Sequence, residues 1–188
     1  MNKILINWIL FFLLPAGLSV FIAIRLKTLK AKLVALHIGI AASILLLFFS
    51  GARLRLATNG FIFAFFALTI AAAYYLLSKP AILYILSCIV QETCLLLASI
   101  LLTRGVGLAW AIILTAAVFA LSHLVDRSHW QLKLIATALW GACSIALYYY
   151  IQQPLLNFAV HILGGAILIS RGVLYEDGQP KNRFAAKM

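Results

Sequence analysis

The sequence predicts an all-α protein: a polytopic bundle of about seven transmembrane helices held in a lipid bilayer. Two observations predict this fold class. Of the 188 residues, 65% are hydrophobic and only 10% are charged, which is more apolar surface than a water-soluble domain can bury. Apolar runs close to the roughly 20 residues needed to cross a bilayer recur along the whole chain. Lipid is therefore the predicted solvent.

The apolar runs predict the helices in order at residues 4–24, 33–50, 61–78, 81–102, 106–125, 132–151 and 154–170. The first run lacks a small-x-small cleavage site near its end, so we predict a retained helix instead of a signal peptide. A basic segment follows it, and charged residues or helix breakers end each later run: Ser50-Gly51-Ala52-Arg53, Ala57-Thr58-Asn59-Gly60, Lys79-Pro80, Arg104-Gly105, Asp126-Arg127-Ser128 and Gln152-Gln153-Pro154.

We predict a single membrane domain over residues 1–188, because no repeat, linker or second domain is visible. Residues 1–80 are predicted to form three accessory helices and residues 81–170 a four-helix core that resembles a catalytic domain. Residues 171–188 are predicted to form a polar cytoplasmic tail. Every intramembrane ionisable candidate except His37 follows residue 80, which is why we assign the core to that half.

The formal net charge of +11 predicts membrane orientation and not a nucleic-acid partner, because the basic residues sit singly or in small groups between apolar runs. With the N-terminus outside, 11 of the 15 Lys and Arg residues fall on the inner side and 4 on the outer side. The positive-inside rule thus predicts an N-terminus outside and a C-terminus in the cytoplasm. We predict the plasma (inner) membrane as the location.

Glu92 is the one carboxylate predicted to lie in the middle of a hydrophobic span. A charged residue at the bilayer centre costs roughly 2.5 to 3.5 kcal/mol on insertion scales, so it is by default a functional-site candidate that faces the protein interior. The alternative is that Glu92 only donates a hydrogen bond between helices. Gln91 flanks it, but adjacent helical residues point in different directions.

His123 and His161 are each the main ionisable group of their predicted helix, as Glu92 is of its own. Three helices that each supply one such group can build a single buried site. In the seventh helix Asn157, His161 and Gly165 are spaced four residues apart and share one face. Close packing of small residues is an equally good interpretation of the glycines there.

Gln91-Glu92, then Phe119-Ala120-Leu121-Ser122-His123, then His161 together resemble the CPBP family of glutamic intramembrane proteases, which are related to the CAAX prenyl endopeptidases. The resemblance covers residues 81–170, with one helix between the last two motifs. Three positions differ from the family pattern. Only one glutamate is present, Leu96 or Leu97 replaces the arginine of the first motif, and Gly165 replaces the asparagine of the last.

The resemblance implies an intramembrane endopeptidase that uses no cofactor. Glu92 would activate water as a general base, His123 would help to hold that water, and His161 with a neighbouring amide would stabilise the oxyanion. For the missing asparagine we propose Asn157, or a backbone amide near Gly164, as the substitute, and Gln91 is a second supporting candidate. The implied partner is a membrane protein, or a lipidated or hydrophobic peptide, cleaved near the bilayer surface.

Two other functions use the same residues. One glutamate and two histidines also form a plausible catalytic zinc set with an open fourth position, which would make the protein a zinc-dependent intramembrane protease. Alternatively the chain is no enzyme: it is a small proton-coupled transporter that uses Glu92, or an inactive relative that acts as a membrane scaffold. No inverted repeat or pair of broken helices favours the transporter.

Overall fold

The computed structural model describes residues 3–55, 60–77, 81–123 and 130–170, and every element in these ranges is helical. The seven helices of this part of the chain confirm the all-α prediction: α1 (Lys3–Arg25), α2 (Leu29–Phe49), α3 (Gly60–Leu77), α4 (Ala81–Val106), α5 (Leu108–Ser122), α6 (Trp130–Ile151) and α7 (Pro154–Ser170). The predicted tail and the Asp126-Arg127-Ser128 break lie outside the described residues.

Five of these helices are long and apolar enough to cross a membrane, namely α1, α3, α4 and most of α2 and α6. The other two are apolar but shorter, with 15 residues in α5 and 17 in α7. At 1.5 Å per residue they reach about 22 and 26 Å, less than the roughly 30 Å of a bilayer's hydrocarbon core. The structure therefore confirms the all-helical class and contains five helices that are long and apolar enough to span a membrane, while the count of seven spans stays a prediction.

Helix α1 is continuous but contains one π-helical stretch, Ile9–Leu13, in which the Leu14 N–H donates to the Ile9 carbonyl. Pro15 follows two residues after the end of this stretch. Proline has no N–H to give to the carbonyl four residues earlier, and wider hydrogen bonding in the preceding turn accommodates that loss. The retained first helix thus carries a local irregularity whose cause is visible in the sequence.

The turn between α4 and α5 lies later than the sequence predicts. We expected a break at Arg104-Gly105, but α4 runs on to Val106 and Gly107 alone separates it from α5. Gly107 has a φ of 82°, a left-handed conformation that glycine adopts without the steric penalty that other residues meet. The chain therefore turns at Gly107, whose backbone can adopt the required conformation, and not at the charged Arg104.

The described helices belong to two compact units. The first contains α1, α2, α5, α6 and the part of α4 from Val90 onward, and the second contains α3, α7 from Leu155 and the part of α4 up to Ile89. The predicted division into residues 1–80 and 81–170 stays a prediction about function, because compactness alone does not define a catalytic core.

Within the first unit α1 packs on α2, α5 packs on α6, and α1 also contacts α5. Gly39 of α2 lies so close to Ser19 of α1 that a Cβ atom at position 39 would overlap the serine side chain. Small residues at such points let helix backbones approach closely in a membrane protein. Trp8, Phe12 and Leu47 from these two helices share a buried cluster with Leu97 and Leu101 of α4.

Polar contacts fix the direction of α6 relative to α4 in the same unit. Ser144 of α6 contacts Glu92 of α4, and the Tyr149 hydroxyl donates to Thr103 Oγ1 at 2.7 Å. Residue numbers rise together in both contacts, so the two helices run in the same direction. Tyr148 is buried beside Tyr149, whereas Tyr150 is 90% exposed and has the exposure expected for a residue of an interfacial aromatic belt.

Candidate functional site

Glu92 is the twelfth of the 26 residues of α4 and is fully buried, with 0% of its surface exposed. The hydroxyl of Ser144 on α6 donates a hydrogen bond to Glu92 Oε1. This arrangement confirms that Glu92 faces the protein interior. A buried carboxyl group needs such a partner, since an unsatisfied polar group away from water costs several kcal/mol, roughly 2 to 7.

A layer of apolar side chains gives a reference for the depth of Glu92 along the helix axes of the first unit. Leu95 of α4, Phe119 of α5 and Ile145 of α6 form one buried cluster. Leu95 is eleven residues before the end of α4 at Val106, and Phe119 is eleven residues after the start of α5 at Leu108. Helices α4 and α5 therefore form a hairpin around Gly107 whose two arms meet at this layer.

His123 lies on the same side of that layer as Glu92. Glu92 precedes Leu95 by three residues and His123 follows Phe119 by four. Because α4 and α5 run in opposite directions, both side chains are displaced toward the same end of the hairpin, by about 4.5 and 6 Å along the axes. Two residues that lie 31 positions apart in sequence thus reach similar depths in the first unit.

The imidazole of His123 is oriented by contacts in its own helix. Its Nδ1 lies 2.9 Å from the Phe119 carbonyl oxygen and 3.3 Å from Ser122 Oγ, and its ring meets the Phe119 ring edge-on at 4.7 Å between centroids. A carbonyl only accepts, so the geometry assigns the proton of the neutral ring to Nδ1. The lone pair then lies on Nε2, where it can accept a hydrogen bond from water.

His161 and Asn157 belong to α7 in the second unit. Asn157 is 2% exposed, and His161 is half-buried. The backbone carbonyl of His161 and that of Ile162 both accept from the Tyr84 hydroxyl at 3.3 Å. The structure places Glu92 and His123 in one unit and His161 and Asn157 in the other, and the role of each histidine stays a prediction.

Gly165, at the position where the resembled family has an asparagine, lies directly beside the same tyrosine. A Cβ atom at position 165 would overlap the Tyr84 hydroxyl oxygen, so the phenol occupies the space into which any side chain at 165 would project. An asparagine at this position would have to displace Tyr84 from its two carbonyl acceptors. Position 165 therefore accepts glycine because Tyr84 fills the adjacent space.

Sequence reasoning missed two residues of these sites, Ser144 and Tyr84. A serine in a membrane helix is common and only weakly polar, so nothing marks Ser144 as the partner of Glu92 before the helices are assembled. Tyr84 carries no signal because tyrosine is frequent near helix ends in membranes. Gln91, the supporting candidate next to Glu92, is half-buried in α4, and its supporting role stays a prediction.

Among the described residues no group of three His, Cys, Asp or Glu side chains converges to hold a metal ion. The zinc alternative therefore stays a prediction that rests on the residue types alone.

Fold and buried carboxylate together define a class: an all-helical protein whose apolar helices suit a membrane and whose interior holds an ionisable group. No family model matches the chain, and neither the curated proteins nor the solved structures include a match. The resemblance to glutamic intramembrane proteases therefore rests on the motif residues themselves.

Proposed function

We propose that the protein is an intramembrane endopeptidase in which Glu92 activates water to hydrolyse a peptide bond of a membrane-associated protein or peptide. The observation that carries this proposal is the fully buried Glu92 carboxyl group, which accepts a hydrogen bond from Ser144 and lies at a depth in the first unit similar to that of His123. A general base must be held in place and shielded from bulk water, and burial together with the Ser144 hydrogen bond supports both.

The proposed reaction needs no group outside the chain, its substrate and water. Glu92 accepts a proton from water while the water oxygen adds to the scissile carbonyl carbon, which forms a tetrahedral oxyanion. The C–N bond then breaks, and Glu92 returns the proton to the departing amine nitrogen. The products are a carboxylic acid and an amine. His123 Nε2 is proposed to accept the second hydrogen of the attacking water and so to orient it.

Ser144 is proposed as a positioning residue. Its hydroxyl donates to Oε1 of Glu92 and so restricts rotation of the carboxyl group about its last side-chain torsion. A base held in one orientation keeps its lone pair aligned with the proton that it removes, which contributes to rate through orientation.

The oxyanion donors are proposed from α7, where the resemblance places His161, with Asn157 as the substitute amide. A preorganised donor typically contributes roughly 100- to 1,000-fold in rate. Substitution of His161 by alanine is expected to cause a severe loss of cleavage, and Asn157→Ala a partial one. Cleavage by Asn157→Ala at the normal rate would make Asn157 a packing residue and direct the search for a donor elsewhere.

The test is cleavage of co-expressed, membrane-anchored candidate substrates by the wild-type protein and by Glu92→Gln. The amide keeps the size of the side chain but cannot take a proton from water, so the variant should insert and fold yet release no product. Purified wild-type protein should cleave equally in the presence of a zinc chelator. Loss of cleavage that only added zinc restores would establish the zinc-dependent mechanism instead.

A second candidate is a non-enzymatic membrane scaffold, which the Ser144–Glu92 contact also supports because it joins α4 to α6. In that function Glu92→Gln keeps the interhelical hydrogen bond and changes nothing measurable. A proton-coupled transporter is the other non-enzymatic function, and Glu92-dependent proton uptake into liposomes would identify it. No cleavage of any substrate, with an intact fold, would favour these two.

The topology that accompanies this function is seven spans with the N-terminus outside and the C-terminus in the cytoplasm of the plasma (inner) membrane. Support comes from the 11-to-4 distribution of Lys and Arg. The shorter helices α5 and α7 would cross with the help of adjoining residues or a locally thinner bilayer, which costs only fractions of a kcal/mol per ångström of mismatch, about 0.5 or less.

A further inference from the structure

Three arginines meet at one end of the first unit, where α2, α4 and α6 all end. Arg53 and Arg55 follow the C-terminus of α2, and Arg104 lies in the last turn of α4. We call these three residues the arginine cluster. They are three of the four basic residues predicted on the outer side of the membrane, so the main exception to the positive-inside bias is concentrated at a single place.

Contacts with the three helix ends hold the arginine cluster together. Arg53 Nη1 donates to the Phe48 and Ala52 carbonyls, and its guanidinium lies 3.9 Å from the centroid of the Phe48 ring. Arg104 Nη2 lies 3.4 Å from the Gly51 carbonyl oxygen. Cations at helix C-termini complement the negative end of the helix dipole, so part of the cluster's role is structural.

Arg55 joins the cluster to α6. Its backbone N–H donates to the Tyr148 hydroxyl at 3.2 Å, and its Nη1 donates to Gln152 Oε1 at 3.3 Å. Gln152 has a φ of 57°, which is unusual for a residue other than glycine and costs roughly 1 kcal/mol or more. Gln152, directly after α6, is thus a strained residue whose side chain accepts a hydrogen bond from Arg55.

The described residues offer this cluster no carboxylate. Glu92 is the one acidic residue among them, and it is fully buried against Ser144, twelve residues from Arg104 along α4. That separation is about 18 Å of helix axis, beyond the range of an ion pair. All three side chains are exposed, and each guanidinium carries five N–H donors. An external anion can therefore bind here.

The surroundings favour a lipid as the source of that anion. Phe49 at the end of α2 is 83% exposed, and Tyr150 near the end of α6 is 90% exposed. Exposed aromatic side chains at the ends of apolar helices lie at the level of the lipid headgroups. A phospholipid whose phosphate group is held at this level would place its acyl chains beside Phe49. A free phosphate ion gains nothing from an aromatic neighbour.

We propose that the arginine cluster binds the phosphate group of an anionic phospholipid. Guanidinium groups match phosphate oxygens with paired, charge-assisted hydrogen bonds. The bound lipid would link the ends of α2, α4 and α6 through one shared anion. The proposal is independent of proteolysis and holds for a scaffold or a transporter equally.

The test measures lipid binding to the purified full-length protein, by native mass spectrometry and by thermal unfolding in phosphatidylcholine nanodiscs titrated with phosphatidylglycerol. The test variant is Arg53→Gln/Arg55→Gln/Arg104→Gln. The matched control, Arg25→Gln/Lys27→Gln/Lys32→Gln, removes the same charge from the α1–α2 segment. Each arginine near an anionic surface contributes about fivefold in affinity, so the test variant should lose on the order of a hundredfold at this site.

Wild-type protein and the control should retain a tightly bound phosphatidylglycerol and a rise in unfolding temperature with it, and the test variant should lose both. Equal losses in the two triple variants would overturn the proposal, because the effect would then follow net charge. Inorganic phosphate that displaces the lipid at equal concentration would also overturn it, in favour of a free-phosphate site. If the triple variant does not fold, Arg55→Gln, which removes the side-chain hydrogen bond to Gln152, should still weaken binding about fivefold.

Discussion

At the scale of single residues, the contact between Ser144 and Glu92 connects packing to the proposed chemistry. It lies inside the first unit, where a lost hydrogen bond is not replaced by water. The same pair would serve a scaffold through stability and a protease through orientation, so the two roles have to be separated by measurement.

Ser144→Ala should therefore lower the cleavage rate at least tenfold while it reduces the free energy of unfolding by about 1 to 3 kcal/mol, the usual effect of leaving a buried acceptor unsatisfied. Ser144→Thr keeps the hydroxyl and is the matched control. The measurement is kcat together with KM and the unfolding free energy in one set of nanodiscs. A loss of stability with unchanged kcat would show that Ser144 has a structural role only.

Gly165 gives a second prediction at this scale, because Tyr84 occupies the space beside it. Gly165→Ala should destabilise the protein by roughly 1 to 3 kcal/mol as the overlap displaces the tyrosine. In a Tyr84→Phe background, which removes the overlapping oxygen, the same substitution should cost measurably less. Equal costs in both backgrounds, measured by thermal unfolding, would contradict the contact. Gly165→Asn should likewise clash instead of rescuing Asn157→Ala.

These two sites also show what residue patterns can and cannot predict. Burial of Glu92 followed from the cost of a charge in lipid, and that expectation holds. Its partner did not follow, because hydrogen bonding between α4 and α6 depends on their relative rotation, which hydropathy does not encode. The sequence offers no reason for a glycine at position 165, and the structure gives one, because Tyr84 fills the space beside it.

At the scale of helices, close approach of α1 and α2 depends on a single glycine. Gly39→Ala should force Ser19 away and lower stability by roughly 1 to 3 kcal/mol. Gly17 in α1 has nothing within 4 Å of a built Cβ atom, so Gly17→Ala should be neutral or stabilise by up to about 1 kcal/mol. Thermal unfolding of both variants checks the pair. Equal effects would mean that α1 and α2 do not pack through Gly39.

Helix positions were largely predictable, whereas several of their ends were not. Apolar runs placed the seven helices because the bilayer requires continuous apolar length. The α4–α5 boundary differed by several residues: Arg104 lies inside the last turn of α4, which ends only at Val106, before Gly107 with its positive φ. A charged residue indicates where a helix reaches the aqueous interface, whereas backbone conformation determines the residue at which the helix ends.

At the scale of the whole molecule, orientation in the membrane is the first test. A reporter that is active only in the cytoplasm, fused after Met188, should be active, and the same reporter fused before Met1 should be silent. The charge distribution is the physical reason. Activity of the N-terminal fusion alone would reverse the topology, and activity of both would require an even number of spans.

The most direct test of the central claim is a hydrolysis measurement in water enriched in oxygen-18. Purified wild-type protein in nanodiscs, given a membrane-anchored substrate, should release a fragment with one heavy oxygen in its new C-terminal carboxyl group. Glu92→Gln should release no such fragment, while its unfolding temperature stays within a few degrees of the wild-type value. Glu92→Asp should retain a small fraction of the wild-type cleavage rate. Heavy-oxygen product from Glu92→Gln at the wild-type rate would contradict glutamate-activated hydrolysis.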